Sequence, residues 1–159
     1  TNTNSGAPYD AFVASIDTNG NFALKRKLAS PNNSEKITDI IINGTDVYAS
    51  LEVAANNSTT DVDVAVAKIN FGTTAITVDW INQYASSLYS MLNSSISIDE
   101  FNEIYITCGL RSKADNTTRD SWWIGKIDTT GAIIWNYRYV APGRELTRAA
   151  TSASDIFGD

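Results

Sequence analysis

Residues 121–128 read SWWIGKID, and two other segments follow the same pattern, DAFVASID at residues 10–17 and DVAVAKIN at residues 63–70. Each runs through apolar residues to Ala or Gly, then Ser or Lys, then Ile and a final Asp or Asn. The final positions, 17, 70 and 128, are 53 and 58 residues apart. Recurrence at such a period indicates that one structural unit is used several times.

A turn sequence follows each of these segments, in the forms DTNGN, NFGTT and DTTGA. Asp or Asn at the first position caps a tight hairpin, and Gly two or three positions later supplies the residue with positive φ. Another strand-like run comes after each turn. Trp80 and Trp135 lie at matching places in two of these runs, and Leu24 is the predicted counterpart in the first.

A second set of landmarks gives the same period. DVYAS, EIYIT and DIFGD correspond, with aromatic residues at Tyr48, Tyr105 and Phe157 that are 57 and 52 positions apart. The two sets together indicate a repeat of about 55 residues.

Each period contains four predicted strands joined by short connections rich in Gly, Asn and Asp, which is typical of antiparallel meanders. The best helical stretch, SSLYSMLNS from Ser86, is short and rich in Ser. The predicted strands are Lys36–Ile42, Asp46–Val53, Asp63–Asn70, Ala75–Tyr84, Ser94–Ile98, Glu103–Leu110, Ser121–Asp128 and Ala132–Val140.

Four antiparallel strands in a repeat of this length describe a β-propeller blade, so the predicted fold class is all-β with propeller-type blades. A blade lies between neighbours, so both of its faces should be apolar. We therefore expect Phe12, Ile69 and Trp123 to be buried between sheets. An immunoglobulin-like sandwich needs about seven strands in roughly 100 residues and gives no reason for this repeat.

DAFVASIDTNGNF, followed by KITDIIINGTDVYAS, resembles the bacterial seven-bladed beta-propeller (SBBP) repeat, and RDSWWIGKIDTTGAIIW with EFNEIYITCGL follows the same outline. The resemblance covers nearly the whole chain through short, degenerate motifs. The sequence departs from it at Ala65, where the family has an aromatic residue, and at Leu51, where it has Gly. The resemblance implies binding or scaffold roles at the cell surface and carries over no catalytic residues.

The repeat boundaries predict a trailing half blade at residues 1–30, blades at 31–87 and 88–142, and a leading half blade at 143–159. About three repeats are fewer than the four to eight blades of ordinary propellers. We therefore expect the chain to form part of a larger ring or array, completed by a longer parent chain or by a partner. The two end halves are complementary parts of one blade, so pairing between copies is one way to complete it.

The composition argues against most enzyme classes. The 159 residues include no His and one Cys, which removes His-based catalysis and cysteine zinc sites. We therefore predict no enzyme activity, no catalytic residues, no cofactor and no metal. The net charge of −6 disfavours nucleic-acid partners, and no stretch approaches the roughly 18 apolar residues of a membrane helix.

Three residue groups could carry chemistry, and each has a simpler interpretation. DTNGN places Asp17, Asn19 and Asn21 at alternate positions, as calcium loops do, but the Gly and distal Glu of such loops are missing, so a hairpin turn is favoured. Neighbouring carboxylates at loop–strand borders are interpreted as solvated rather than catalytic. These carboxylates are Asp61, Asp63, Asp99 and Glu100.

Cys108 lies in the alternating segment EIYITCGL, so it is predicted to pack as a small hydrophobic residue. Trp122 and Trp123 place large rings on both faces of one strand. Packing between blades is the favoured interpretation of the pair, and an exposed ring that binds sugar or protein is the functional alternative.

Asn-x-Ser/Thr acceptor motifs occur six times, about twice as often as composition predicts, which favours a glycosylated surface protein. In an up-and-down blade five of the six fall on one face, and Asn43 falls on the other. The predicted glycosylation sites are Asn32, Asn43, Asn56, Asn57, Asn93 and Asn116.

These observations predict a non-catalytic binding or structural module that is extracellular or on the cell surface. Its expected partners are other copies of itself, neighbouring repeats, glycans or surface proteins, with no nucleic acid and no membrane insertion. One alternative is a subunit of an extracellular fibre or ring completed by strand pairing between chains. A second is a fragment of a propeller enzyme whose active site lies elsewhere.

Overall fold

The computed structural model describes residues 10–28, 33–55, 58, 60–114 and 121–140. The described residues form ten β-strands and no helix, so none of them belongs to a helix that could cross a membrane. The strands are β1 (Ala11–Ile16), β2 (Phe22–Leu28), β3 (Asn33–Asn43), β4 (Asp46–Ala55), β5 (Val62–Phe71), β6 (Ile76–Tyr84), β7 (Tyr89–Ile98), β8 (Ile104–Ser112), β9 (Ser121–Ile127) and β10 (Ile133–Val140).

Three antiparallel sheets follow one another along the chain. β1 and β2 form a two-stranded sheet, here called the first hairpin. The middle sheet has the order β3-β4-β5-β6, and the third sheet has the order β10-β9-β8-β7. The prediction of an all-β protein with four-stranded antiparallel sheets is confirmed, and each of the eight predicted strands corresponds to an observed one. The half blade predicted at 143–159 lies outside the described residues.

SSLYSMLNS, the best helical stretch in the sequence, contributes the first half of β7 from Tyr89 onward. Met91 pairs with Leu110 of β8 and is buried. The segment is too short and too rich in Ser to stabilise a helix alone, whereas β8 offers a complete hydrogen-bonding edge.

The middle sheet packs on both faces. One face, which includes Leu51 and Ala67, packs against Ala11 and Val13 of the first hairpin. The opposite face packs against the third sheet in a second cluster. That cluster includes Tyr48, Val64, Val66, Ile104, Ile106 and Cys108. β4 and β5 are therefore buried nearly throughout, as strands covered on both sides must be.

The three hairpins share one irregularity. In the β1–β2 pair the strand register shifts after the penultimate residue of β1. The register shifts at the corresponding position in the β5–β6 and β9–β10 pairs. As a result, Leu24, Trp80 and Trp135 each pair with the Ser or Lys that precedes the repeated Ile of the partner strand. The register places these three residues at equivalent positions, as the sequence pattern predicts.

The predicted burial of Phe12, Ile69 and Trp123 is confirmed only in part. Ile69 is fully buried and Trp123 is half-buried, but Phe12 is 64% exposed. The prediction for Phe12 was wrong because this residue lies on the side of the first hairpin that faces away from the middle sheet. Among the described residues no sheet covers that side, and the described sheets do not close into a ring.

Candidate functional site

Exposed aromatic residues line the side of the third sheet that faces away from the middle sheet. Trp122 and Ile124 alternate along β9, and Trp135, Tyr137 and Tyr139 alternate along β10, so all five point to one side. These five residues are called the aromatic face. Tyr137 is 68% exposed and Tyr139 is 58% exposed, which is unusual for large rings on a sheet.

Cross-strand contacts hold the rings of the aromatic face in place. Tyr139 lies opposite Trp122, and their ring centroids are 6.2 Å apart. The Trp135 ring lies 5.5 Å from Tyr137 and meets Tyr105 edge-on at 6.1 Å. Aromatic pairs on one sheet face stabilise each other, so the surface is ordered before anything binds.

A charged pair anchors the base of this surface. Lys126 forms an ion pair with Glu103, and its Nζ lies 5.0 Å from the centroid of the Tyr105 ring. The hydrogen bond to Glu103 raises the pKa of Lys126 above its ordinary value. Lys126 therefore stays protonated over the tyrosine ring.

The middle sheet contains the same arrangement. Lys68 Nζ lies 2.9 Å from Asp46 Oδ2 and 5.8 Å from the centroid of the Tyr48 ring, which is 6.2 Å from Trp80. Tyr48 is 1% exposed because the third sheet covers it. The two sheets thus present equivalent faces: the third sheet covers that of the middle sheet, and no described strand covers that of the third sheet.

Hydrogen bonds from β6 show how the middle face is covered. Trp80 Nε1, Asn82 Nδ2 and the Tyr84 hydroxyl donate to the carbonyl oxygens of residues 129, 130 and 131, at 3.0, 3.2 and 2.9 Å respectively. The donors alternate along one face of β6, and the acceptors are consecutive in the β9–β10 turn. The turn of the third sheet is therefore fastened to the middle sheet at three points.

β10 carries donors at the same register. Trp135, Tyr137 and Tyr139 each pair with a residue of β9. Those β9 residues occupy the same repeat positions as the β5 residues that pair with the three donors of β6. Each has one N–H or O–H group. Within the described part of the chain these three groups make no hydrogen bond, so the aromatic face has open donors where the middle sheet has satisfied ones.

The first hairpin has a turn of the same geometry as the fastened one. Asp128 Oδ1 accepts from the backbone N–H groups of residues 130 and 132 at 2.8 and 3.0 Å. Asp17 Oδ1 accepts from those of residues 19 and 21, both at 2.9 Å. Gly131 and Gly20 have φ of 81° and 85°. Asp17 therefore caps a hairpin turn, as the favoured interpretation of DTNGN predicts.

The two turns differ in their surroundings. A Cβ atom on Gly131 would lie 2.2 Å from Asn82 Nδ2, whereas a Cβ atom on Gly20 would have no atom within 4 Å. Gly131 thus permits close docking, whereas no described residue docks at Gly20. The first hairpin also exposes three apolar side chains beside its turn, called the apolar hairpin face. These are Phe12 (64% exposed), Ile16 (61%) and Phe22 (68%).

A cleft of about 470 Å³ opens between the end of β6 and the inner side of β9–β10. Its walls include Tyr84, Tyr89 and Trp123, with Gln83 and Arg138 among the polar groups. The guanidinium carbon of Arg138 lies 4.3 Å from the centroid of the Tyr89 ring, and no carboxylate among the described residues forms an ion pair with Arg138.

Two of the predicted glycosylation sites lie among the described residues. Asn43 ends β3, and its Nδ2 donates to Asn102 Oδ1. Asn93 was expected before a strand but lies inside β7, at a bulge, with φ of 53°. Its backbone N–H donates to Glu52 Oε1 at 2.6 Å. The other predicted acceptors, Asn32, Asn56, Asn57 and Asn116, lie outside the described residues.

The other singled-out residues have structural roles. Cys108 is fully buried, and burial raises the pKa of its thiol well above the usual range. The interpretation of Asp99 as a solvated carboxylate was wrong: Asp99 is buried because it caps its own turn, accepting from the backbone N–H groups of Phe101 and Glu103 at 2.9 Å. Asp61 and Asp63 form ion pairs with Lys113. The described residues contain no cluster of three potential metal ligands.

Reasoning from sequence identified Trp122 and Trp123 but missed the three hydrogen-bond donors along β6. The pattern Trp-x-Asn-x-Tyr in β6, matched by Trp-x-Tyr-x-Tyr in β10, was visible at a spacing of two. Its hydrogen-bonding role appears only when the neighbouring turn is in place.

No protein-family model matches the chain, and no curated protein sequence is significantly similar to it.

Proposed function

We propose that this protein is a non-catalytic binding or structural module of propeller-type repeats, and that its aromatic face binds a further blade-like sheet. The proposal extends the observed stacking of the first hairpin, the middle sheet and the third sheet to the next member of the series. It is a proposal about an interaction surface and assigns no reaction to any residue.

One observation supports this proposal above all others. The covered face of the middle sheet and the open aromatic face have the same lysine–tyrosine–tryptophan contacts and the same donor register. A face built like one that already binds a sheet is itself suited to bind a sheet. Open apolar faces of this kind are typical of interaction sites.

An extracellular or cell-surface location, with N-linked glycans, is part of the proposal. It rests on the six acceptor motifs and on the uncharged polar surface that Thr, Ser and Asn provide. The resemblance to surface propeller repeats favours the same location.

A tandem duplication of residues 88–142 tests the proposal. If the aromatic face binds a blade, the added repeat should fold against it. The chain should then unfold in one transition with a larger dependence on urea, because stacked repeats unfold together and expose more surface. Emission from Trp122 and Trp135 should shift to shorter wavelength as both rings leave water.

The matched control is the same tandem chain with Asn in place of the Gly131 equivalent in the added repeat. That side chain blocks turn docking while Asn still tolerates positive φ. The proposal fails if the added repeat unfolds separately, or if the control and the parent tandem chain have the same stability.

A second candidate function is the binding of acidic glycans in the cleft. The observation that favours it is the Arg138 guanidinium, which stacks on Tyr89 and has no acidic partner among the described residues. Aromatic rings can stack on sugar faces, and Arg can pair with a carboxylate. Titration with hyaluronan oligosaccharides should quench Trp123 emission in the wild type but not in Arg138→Gln. Equal responses would contradict this function.

A further inference from the structure

We propose that the sheet bound by the aromatic face is the first hairpin of a second copy of this chain. This inference rests on the proposed function and names its partner. The turn of residues 17–21 in one copy would dock on β10 of another, as the turn of residues 128–132 docks on β6 within one chain.

The acceptors for this contact are already formed. Residues 17–21 and 128–132 have the same aspartate cap, the same backbone hydrogen bond from Gly to the capping residue, at 3.0 and 2.9 Å, and the same positive-φ glycine. The carbonyls of residues 18, 19 and 20 therefore have the arrangement of the three carbonyls that accept from β6. The Gly20 turn has open space where the Gly131 turn has its docking partner.

The donors are also in place. The side chains of Trp135, Tyr137 and Tyr139 occupy the positions of Trp80, Asn82 and Tyr84 on an equivalent sheet. Tyrosine is longer than asparagine, so Tyr137 reaches its acceptor from a slightly greater distance. We infer three contacts in register: Trp135 to residue 18, Tyr137 to residue 19, and Tyr139 to residue 20.

The apolar surfaces beside these groups correspond as well. Within one chain the Tyr84 ring lies 6.1 Å from Trp123, which belongs to the sheet that docks. Phe12 occupies the Trp123 position in the first hairpin and is exposed, as is Tyr139 at the Tyr84 position. Docking would bring Phe12 against Tyr139 and bury the apolar hairpin face against the aromatic face. Burial of apolar surface of this kind favours association.

One chain cannot make this contact with itself in the described arrangement. The first hairpin and the third sheet lie on opposite sides of the middle sheet. The contact joins two different surfaces, so it is heterologous. Heterologous contacts produce a closed ring or an open filament rather than a simple two-fold dimer.

Cross-linking between two variants tests the pairing. Asn19→Cys and Tyr137→Cys are made in separate full-length chains, mixed, and treated with a short bis-maleimide linker. Both positions are surface positions, and the native thiol at Cys108 is buried and should not react. The proposal expects a covalent dimer in the mixture and none with either variant alone. Phe101→Cys, at a residue 65% exposed elsewhere, is the control partner for Asn19→Cys and should give no dimer.

A dimer formed by Tyr137→Cys alone would show that two aromatic faces meet each other, which overturns the proposal. A mixture that yields no dimer at concentrations where the wild type sediments as an oligomer would overturn it as well. A wild type that remains monomeric at every concentration would overturn it without affecting the tandem-chain test of the proposed function.

Gly20→Asn provides an independent measurement. Asn can adopt positive φ, so the turn should persist, but its side chain fills the space needed for docking. Sedimentation equilibrium should show the dissociation constant of self-association rising by about tenfold or more, since an obstructed contact at the centre of an interface is costly. Circular dichroism should be unchanged. Unaltered self-association would contradict the proposed use of this turn.

Discussion

The Tyr84 and Tyr139 hydroxyls occupy equivalent strand positions but lie in different environments. Tyr84 is buried and donates to the Gly131 carbonyl at 2.9 Å. Burial raises the pKa of Tyr84 to about 12, and the Asp128 carboxylate acts in the same direction. The Tyr139 hydroxyl has no hydrogen bond among the described residues.

We therefore predict that removing the hydroxyl group lowers the free energy of unfolding more at Tyr84 than at Tyr139. Tyr84→Phe should lower the free energy of unfolding by about 1–3 kcal/mol, because it leaves a buried carbonyl without its donor. Tyr139→Phe, the matched control, should change the stability of the monomer by less than about 0.5 kcal/mol. Urea unfolding at low protein concentration measures both. Equal costs would show that the two positions do not differ as described.

Cys108 allows a second prediction at this scale. Because the thiol is fully buried and its pKa is raised, the native protein should not react with a disulfide reagent such as 5,5′-dithiobis-(2-nitrobenzoate). Reaction should follow the unfolding transition in urea. Rapid reaction without denaturant would mean that the sheet interface around β8 opens readily.

At the scale of the element, the hairpin turns depend on ionised aspartates. Backbone and side-chain hydrogen bonds from Asn21 lower the pKa of Asp17, and the hydrogen bond from the Thr130 hydroxyl, followed by that from the Ala132 amide, lowers the pKa of Asp128. A lowered folded-state pKa means that these caps stabilise the fold above the ordinary value of 3.8 and are lost as the pH falls through the folded-state value.

We predict that Asp128→Asn is less stable than the wild type near neutral pH, and that the difference decreases as the pH falls below about 4. Thermal unfolding across a pH series measures the difference. Asp17→Asn should behave in the same way, because its carboxylate accepts the same pair of backbone hydrogen bonds. A difference that stays constant in acid would show that ionisation of the cap does not contribute.

Side chains of the middle sheet accept hydrogen bonds from the bulge in β7. Asn93 adopts positive φ there, and Glu52 of β4 accepts its backbone N–H. Nearby, Asp39 of β3 accepts from Ser95 Oγ at 2.7 Å and from the Ile96 N–H at 3.1 Å. Asn is among the residues that tolerate this backbone conformation, so Asn93-Ser-Ser has a structural role that does not depend on a glycan.

For the whole molecule, glycosylation gives a direct prediction. Expression in a eukaryotic secretory host should add mass that peptide-N-glycosidase F removes, as the acceptor motifs indicate. Peptide mapping should find Asn93 the least occupied of the six sites, since Asn93 is half-buried and Ser95 is almost fully buried. A fully occupied Asn93, or no added mass at all, would contradict this expectation.

Much of the local structure could be predicted from the sequence because its signals are local. Alternating apolar residues place strands, and the Asp and Gly of DTTGA place a turn, whatever surrounds them. The equivalence of Leu24, Trp80 and Trp135 also follows from the repeat. The sequence signal for β7 begins only at Ser94, because the residues before it are rich in Ser, and pairing with β8 is what extends the strand back to Tyr89.

The sequence alone thus determined that the chain is all-β, where its strands and turns lie, and that both faces of its central strands are apolar. Only the tertiary structure decided which of those faces is covered. Phe12 and Trp123 occupy equivalent positions, yet one is exposed and the other packs against the middle sheet. The physical reason is that alternation marks a face as apolar, whereas burial depends on which sheet stacks against it, a contact between residues far apart in the chain.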